Sequence, residues 1–482
     1  MKLDFTHEPE LEFGAGRHID VRFGLMNYGP LDIKDSDLPK EIRVGIVGTP
    51  ETVEGVVRWL EACRGELPAK TSNQPNLFPR FPGFRTDNNW RATLVLDPKL
   101  QETIPPKEFD QLSTTASGDE FVKKAASWFI ERFKYLDENY KVDVLVCAAP
   151  MHLVPRIGDD VSQMPNDERV EASPTSHSLD FHNHLKAKAM TIDKPIQIVL
   201  PMTYDESKRL KLKRNPIAVR KLQDEATRAW NIHTAIYYKA KGIPWRLPRD
   251  PSQFTSCYVG VSFYESLDKT KLLTSVAEVF NQRGEGMVVR GGPAKLFKDD
   301  RQVHTDAPVA FELLSSALET YKTVHHTLPA RLVIHKTSTF DDAERDGFHS
   351  AADKFGIHTL EMVSLRESLI RLYRDGKYPP LRGTTMALDD RNAILYTRGS
   401  VEFFSTYPGM YVPQSLAFRL EDAEQTQSFH AQEILALTKM NWNNTQFDGF
   451  EPITIRAARQ VGKILKYVGE HDQMRAHYSF YM

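Results

Sequence analysis

Cysteine is scarce in this chain. Cys63, Cys147 and Cys257 stand far apart with no Cys-x-x-Cys pair, which excludes a disulfide framework and speaks against thiolate-held zinc. Long apolar runs are missing too: the greasiest stretch, Val142 to Pro155, is interrupted by Asp143 and His152. The opening residues, Met1-Lys-Leu-Asp-Phe-Thr-His-Glu-Pro9, lack an apolar signal-peptide core. A soluble cytoplasmic protein without membrane contact is therefore expected. Net charge is nearly absent, since 62 Lys+Arg stand against 64 Asp+Glu. This balance excludes a uniformly basic nucleic-acid coat, so any such site has to be a local patch offset by acid elsewhere. Internal repeats and low-complexity tracts are also lacking. What remains is 482 residues, enough for two to four domains with sizeable cores.

From Glu41 onward, strand and helix signals alternate. Ile42–Val47, Arg91–Leu96, Lys141–Ala148 and Pro195–Leu200 read as buried strands. Pro50–Cys63 and Glu120–Tyr140 carry apolar residues at helical spacing. Such alternation implies a parallel sheet covered by helices on both faces. Gly158–Ser178 is polar and acidic with two prolines, which reads as a surface excursion or a disordered loop. The first unit closes with Ile236–Pro248, and the boundary is placed near Asp250, giving units 1–250 and 251–482. The second unit starts with a strand around Tyr258 and continues with a hairpin-like stretch, Gly286–Arg290. Further strands are expected at Leu332, Thr359–Val363 and Ala393–Thr397, with helices over Ala307–His325, from Asp341 and over Ile455–Val468. This order reads as a mixed sheet of ribonuclease-H kind.

Chemistry-bearing residues cluster first around Tyr204-x-x-x-Lys208, which follows a strand, then Gln223, then Tyr238-Lys239 before a Gly-Ile-Pro-Trp turn. Between them Lys208, Arg209, Lys211, Lys213, Arg214, Arg220 and Lys221 form a cationic run. A terminal phosphate carries close to two negative charges and needs several fixed donors, while a neighbouring base stacks on an aromatic ring. The same run reads, taken alone, as a solvated helix face. The spacing resembles the guide 5′-phosphate pocket in the MID domain of Argonaute proteins. By that resemblance Tyr204 stacks on the first base and Lys208, Gln223 and Lys239 hold the phosphate. Ala235 stands where the family often has another polar residue. In several prokaryotic members the terminal carboxylate folds back onto a divalent ion, so the resemblance implies Mg²⁺ at the guide 5′ end with the Met482 carboxylate as its ligand.

The strand Cys257-Tyr-Val-Gly-Val-Ser-Phe263 looks like the opening strand of a PIWI ribonuclease-H core, with Ser262 where the first catalytic aspartate is expected. Arg331–Ser338 resembles the strand bearing the second carboxylate, and here it carries Thr337. Arg459, in Pro452–Arg459, falls where the last catalytic side chain is expected. Two-metal cleavage needs anionic oxygens that bridge two cations, which hydroxyls and a guanidinium do not supply. The resemblance therefore implies a Rossmann-like MID domain followed by an inactive ribonuclease-H-like PIWI domain, as in short prokaryotic Argonautes. Its implied partners are a short guide RNA, complementary single-stranded target DNA, and an APAZ-containing effector subunit. A sirtuin-like NAD hydrolase is favoured for that effector over a TIR or nuclease one, with NAD depletion as antiviral defence.

Other readings compete. Displaced acids such as Asp268, Glu285, Asp341 or Asp346 give an active guide-directed nuclease, and a doubly wound sheet alone gives a small-molecule enzyme. His182-Asn-His184 spells a metal-nuclease nickname but reads as a surface helix start. Gly45-Ile-Val-Gly48 lacks the third glycine of a dinucleotide loop and reads as close backbone packing. Trp442 reads as core.

Overall fold

The computed structural model describes the chain apart from residues 37–39, 158–178, 209–210, 213–214, 220–221, 250–254, 281–285, 377–378, 410–411 and 470–471. For 211–212, 215–219 and 276–280 it describes the backbone alone. The expected boundary at Asp250 and the acidic excursion thus lie outside the described residues.

The first half holds β1 (Lys2–Phe5), α1 (Val21–Tyr28), β2 (Lys40–Gly48), α2 (Pro50–Ala62), β3 (Ala92–Val95), β4 (Gln101–Thr103), α3 (Pro106–Thr115) and α4 (Gly118–Asn139). It continues with β5 (Val144–Ala148), α5 (Phe181–Lys188), β6 (Ile196–Val199), α6 (Pro201–Tyr204) and α7 (Glu225–Lys239). Strands β2 to β6 build one parallel sheet in the order β3-β2-β5-β6, with β4 also paired to β2. Every residue of β5 and β6 is buried, which is why their sequences run apolar apart from Gln197. Helix starts are written locally. Thr49 caps α2 reciprocally with Thr52, and Ser117 does the same for α4 with Glu120. Gly48 abuts the neighbouring strand so closely that a Cβ would lie 2.5 Å from the Ala148 carbonyl, so the Gly45–Gly48 stretch is backbone packing.

The second half holds β7 (Ser256–Glu265), β8 (Leu272–Phe280), β9 (Gly286–Val288), α8 (Ala307–His325), β10 (Arg331–Lys336), α9 (Asp342–Lys354) and β11 (Thr359–Glu367). Then come β12 (Thr384–Ala387), β13 (Asn392–Leu395), β14 (Leu416–Asp422), α10 (Gln427–Leu437) and α11 (Ile453–Leu465). Its sheet has nine strands in the order β1-β12-β13-β14-β11-β10-β7-β8-β9, parallel only at β7/β10 and β10/β11. The α/β architecture expected from the sequence is therefore present. One element departs from the expected division: β1 pairs antiparallel with β12, Lys2 opposite Ala387, so residues 2–5 extend the second sheet. Glu8 follows suit, its carboxylate accepting from Arg382 and Lys439 at 2.9 Å each.

One apolar cluster spans both halves, joining Val44, Trp230, Tyr238 and Trp245 to Met440, Trp442, Ala457 and Tyr481. Trp442 is core, as expected, with its ring 4.7 Å from that of Tyr238. Trp245 donates from Nε1 to the Lys439 carbonyl at 3.1 Å. Helix α11 lies directly on β7, where a Cβ at Gly260 would come 2.1 Å from the Thr454 carbonyl. Gly260→Ala should push α11 off the sheet and destabilise the fold by about 1–3 kcal/mol, the usual cost of overpacking. Chemical denaturation checks this, and an unchanged midpoint would contradict the close approach.

Candidate nucleic-acid interface

Helix α7 is capped by Asp224, whose side chain accepts from Thr227 N, and is buried along nearly its whole length. It therefore carries its last residue, Lys239, into the interior, where only 2 % of that residue is exposed. Lys239 Nζ donates to Gln197 Oε1 on β6 at 2.9 Å and to Asn443 Oδ1 of the second half at 3.4 Å. A hydrogen bond from an ammonium to an amide is worth about 1.5–3 kcal/mol. Stripping the ion of water costs several kcal/mol, so two amides do not balance burial. Burial accordingly pulls the Lys239 pKa down to about 7.

Lys186 of α5 meets the same problem. It too is only 2 % exposed, and burial, reinforced by the Lys239 charge, holds its pKa well below the ordinary lysine value. His182, one turn earlier on α5, is pulled down to about 3 by burial and by both lysines. Among the described residues no carboxylate bonds to Lys186, Lys239 or His182. Two ammonium groups from separate helices thus converge without a built-in counter-charge. The side chains around them suit an anion and do not make a magnesium site, so the magnesium expectation rests on the Met482 carboxylate alone. The Met482 side chain is buried in the shared apolar cluster, in a tail whose His477 ring lies 5.6 Å from that of Tyr238.

The remaining expected pocket residues stand elsewhere. Tyr204, at the end of α6, lies on Gly55 of α2, where a Cβ would meet its ring at 2.3 Å. Burial, with Glu51 and Asp205 nearby, pushes its hydroxyl pKa up. Lys208 Nζ pairs with Glu51 at 3.1 Å at the surface. Gln223 Oε1 accepts from Asn231 Nδ2 at 3.1 Å, while Asn231 Oδ1 accepts from Thr445 N at 2.9 Å. No hydrogen bond or ion pair joins Tyr204, Lys208, Gln223 and Lys239 to one another among the described residues. The side chains of the cationic run 209–221 lie outside the described residues. Its backbone forms two short strands, Lys211–Leu212 and Asn215–Val219, in place of the helix face weighed above.

Lys186 and His182 are the residues that sequence reading missed. Helix α5 does begin at Phe181, but Asn183, His184 and Lys186 are buried because α5 packs against α4 and α11, which corrects the surface reading. A signal was available: His182 and Lys186 stand four apart, on one helical face with no acid beside them.

On β7, Cys257, Val259 and Val261 pack toward α8 and α9, while Gly260 and Ser262 turn to α11. Thr337 N donates to the Val261 carbonyl at 3.2 Å, which brings Thr337 beside Ser262 on the adjacent strand. Ser262 and Arg459 line one cleft of about 660 Å³ between α4, β7 and α11. Arg459 Nε pairs with Glu451 at 3.0 Å.

Of the described acids, Asp268, Asp341 and Asp346 are not among the residues that line this cleft. Asp268 is tied into its own turn by Ser266 and Thr270, and Glu285 lies outside the described residues. Asp346 is exposed on α9. Asp341 caps α9 beside His304 and Glu344 on the other side of the sheet. That trio already faces a cation, since Lys336 Nζ bonds both Glu344 oxygens at 2.5 and 2.6 Å.

This arrangement of sheets has known counterparts. Clostridium butyricum Argonaute, solved with a guide DNA and a 19-mer target DNA, superposes with a TM-score of 0.64 at 16% identity, over 98% of this chain and 54% of its own. A. aeolicus Argonaute gives 0.58 at 14% identity, over 98% and 54%. Drosophila Piwi gives 0.59 at 10% identity, over 99% and 56%. The chain has an Argonaute-like fold. It spans about half the length of these proteins, and identities this low carry the fold and nothing finer. No family model matches the chain, and no curated protein matches it. In Argonaute terms the parallel sheet is MID-like and the nine-stranded sheet PIWI-like, with α7 and Asn443 meeting where the two join. No helix among the described residues is long and apolar enough to cross a membrane.

A phosphate monoester binding at Lys239 must take up a proton wherever that lysine is neutral in the free protein. Since its free pKa is about 7 and a bound dianion raises it, affinity should fall as pH rises from 7 to 9. The slope should reach up to about tenfold per unit. Titration with a 5′-phosphorylated oligonucleotide checks this, and a flat profile would contradict an anion site at Lys239.

Proposed function

We propose that this chain is a guide-binding Argonaute subunit that does not cut. It holds a short guide, RNA by the family resemblance, through the guide's 5′ phosphate. The guide's leading bases then pair with complementary single-stranded DNA of an invader, so that base pairing reads the sequence and protein contacts hold backbone and ends. The observation that carries this reading is the pair of buried lysines, Lys186 and Lys239, without a carboxylate partner among the described residues. A terminal phosphate supplies the missing charge, and Tyr204, Lys208 and Gln223 belong to the same reading as the approach to the first nucleotides.

Cleavage is not part of it. Hydroxyls at Ser262 and Thr337 and a guanidinium at Arg459 cannot seat two metals, and the Arg459 charge repels them. Output then requires another subunit, in this reading an APAZ-containing effector of the sirtuin-like NAD-hydrolase kind, with TIR or nuclease effectors as alternatives. Antiviral defence by NAD depletion in the cytoplasm follows as the biological role.

Fluorescence anisotropy with matched 5′-phosphate and 5′-hydroxyl oligonucleotides tests the pocket. Wild type should prefer the phosphate, and Lys186→Met or Lys239→Met should each cost about tenfold or more, as charge-assisted bonds of about 1.5–3 kcal/mol require. EDTA should leave that preference intact. Equal affinity for both oligonucleotides would refute the assignment. Guide-loaded protein given complementary DNA with Mg²⁺ or Mn²⁺ should yield no product, and a cut opposite the middle of the guide would overturn the non-cutting reading.

A further inference from the structure

The nine-stranded sheet ends in two edges that differ. At β9 the edge is closed, since Val288 N donates to the Ala476 carbonyl at 2.6 Å and Met287 bridges to His477. At β1 no strand pairs with the outer side among the described residues. All four residues of β1 are exposed, and Leu3 keeps 64 % of its surface in water, with Met1 beside it at 97 %. An edge of this kind offers unpaired backbone groups to another chain.

The register decides which groups are offered. Lys2 lies opposite Ala387, Leu3 opposite Met386, Asp4 opposite Thr385 and Phe5 opposite Thr384. Thr6 N donates to the Gly383 carbonyl at 3.0 Å, while the Thr384 carbonyl turns away from β1 and accepts from Tyr396 N at 2.8 Å. In an antiparallel ladder the backbone groups alternate between the two sides. Lys2, Asp4 and Thr6 therefore bond to β12, and the backbone groups of Leu3 and Phe5 point outward. Side chains alternate between faces with the same period. Leu3 and Phe5 thus share one face, and Lys2 and Asp4 the other, where Asp4 accepts from Ser428 Oγ at 3.0 Å.

Charges on an edge ordinarily discourage pairing. Here their order makes one register self-complementary. When two copies of β1 meet antiparallel about a two-fold axis at Leu3, that residue exchanges both outward backbone bonds with Leu3 of the second copy. Lys2 then faces Asp4 of the second copy, Asp4 faces its Lys2, and Met1 faces its Phe5. Centring the axis on Lys2 or on Asp4 sets like charges opposite each other instead, which is destabilising. In the single chain the Phe5 amide donates to Asp4 Oδ1 at 2.8 Å. Lys2 of a second copy draws that carboxylate across the new pair and frees the amide for the ladder.

We infer that β1 is a self-association edge, through which two copies of this chain join their sheets in the register centred on Leu3. Six strand spacings of about 4.8 Å put β7 roughly 29 Å from β1, so the pairing leaves the Ser262 cleft uncovered and stands apart from the guide-binding reading. Five residues a side fall short of the roughly 1,200 Å² that stable interfaces bury, so the dimer forms only as concentration rises.

Sedimentation equilibrium of the full chain without nucleic acid, from low to high micromolar concentration, tests this. Wild type should pass from monomer to dimer. Lys2→Asp and Asp4→Lys each turn two attractive pairs into two repulsive ones and should weaken the dimer about tenfold. Combining both substitutions in one chain should restore it, and mixing the two single variants should give a heterodimer. Leu3→Pro deletes the outward amide while sparing the bonds to β12, and should abolish the dimer. These side chains are exposed, so folding is not at stake. A monomer at every concentration, or a dimer indifferent to these substitutions, would overturn the inference. So would Leu3→Pro loosening a complex with an effector protein while the chain alone stays monomeric, because the edge would then belong to that partner.

Discussion

Removing two ammonium groups from water, with no carboxylate bonded to either among the described residues, is the constraint around which this structure is arranged. Lys239 arrives at the end of a helix that is interior for nearly its whole length, and Lys186 arrives from α5, sandwiched between α4 and α11. Each helix is held by apolar packing strong enough to carry its lysine inward. The free protein meets the cost by shifting both lysines toward neutrality.

The second half of the chain is inseparable from that site. Asn443, the second acceptor for Lys239, lies beyond the nine-stranded sheet, and the cluster around Tyr238, Trp245 and Trp442 fuses the two units into one core. Because α11 lies on β7 through the bare backbone of Gly260, the helix that shapes the Ser262 cleft is also fixed to that core. Occupancy near Lys239 and the geometry of the cleft therefore share mechanical elements, α5 and α11.

Much of the fold was legible in the sequence. Strand β5 is a continuous apolar run, and β2, β6, β7 and β10 carry apolar stretches at their buried positions, while helices α2, α4, α8 and α9 announce themselves by period and cap. β1 was not legible: Lys2–Phe5 is short, exposed throughout, and paired with a strand some 380 positions away, which no local pattern encodes. Of the candidate site, Lys239 and Ser262 were singled out through the family resemblance, and the structure places the first in the interior and the second in the cleft beside α11. Lys186 and His182 escaped because their segment is polar enough to pass for surface, and its burial comes from α4 and α11 rather than from its own residues.

Calorimetry most directly tests whether phosphate answers these buried charges. Binding of a 5′-phosphorylated oligonucleotide is measured at pH 8 in buffers of different ionisation enthalpy, which gives the number of protons taken up. Wild type should take up protons, the 5′-hydroxyl oligonucleotide should not, and Lys186→Met with Lys239→Met should abolish the difference. Binding of the phosphorylated strand with no proton uptake would contradict the account at its centre.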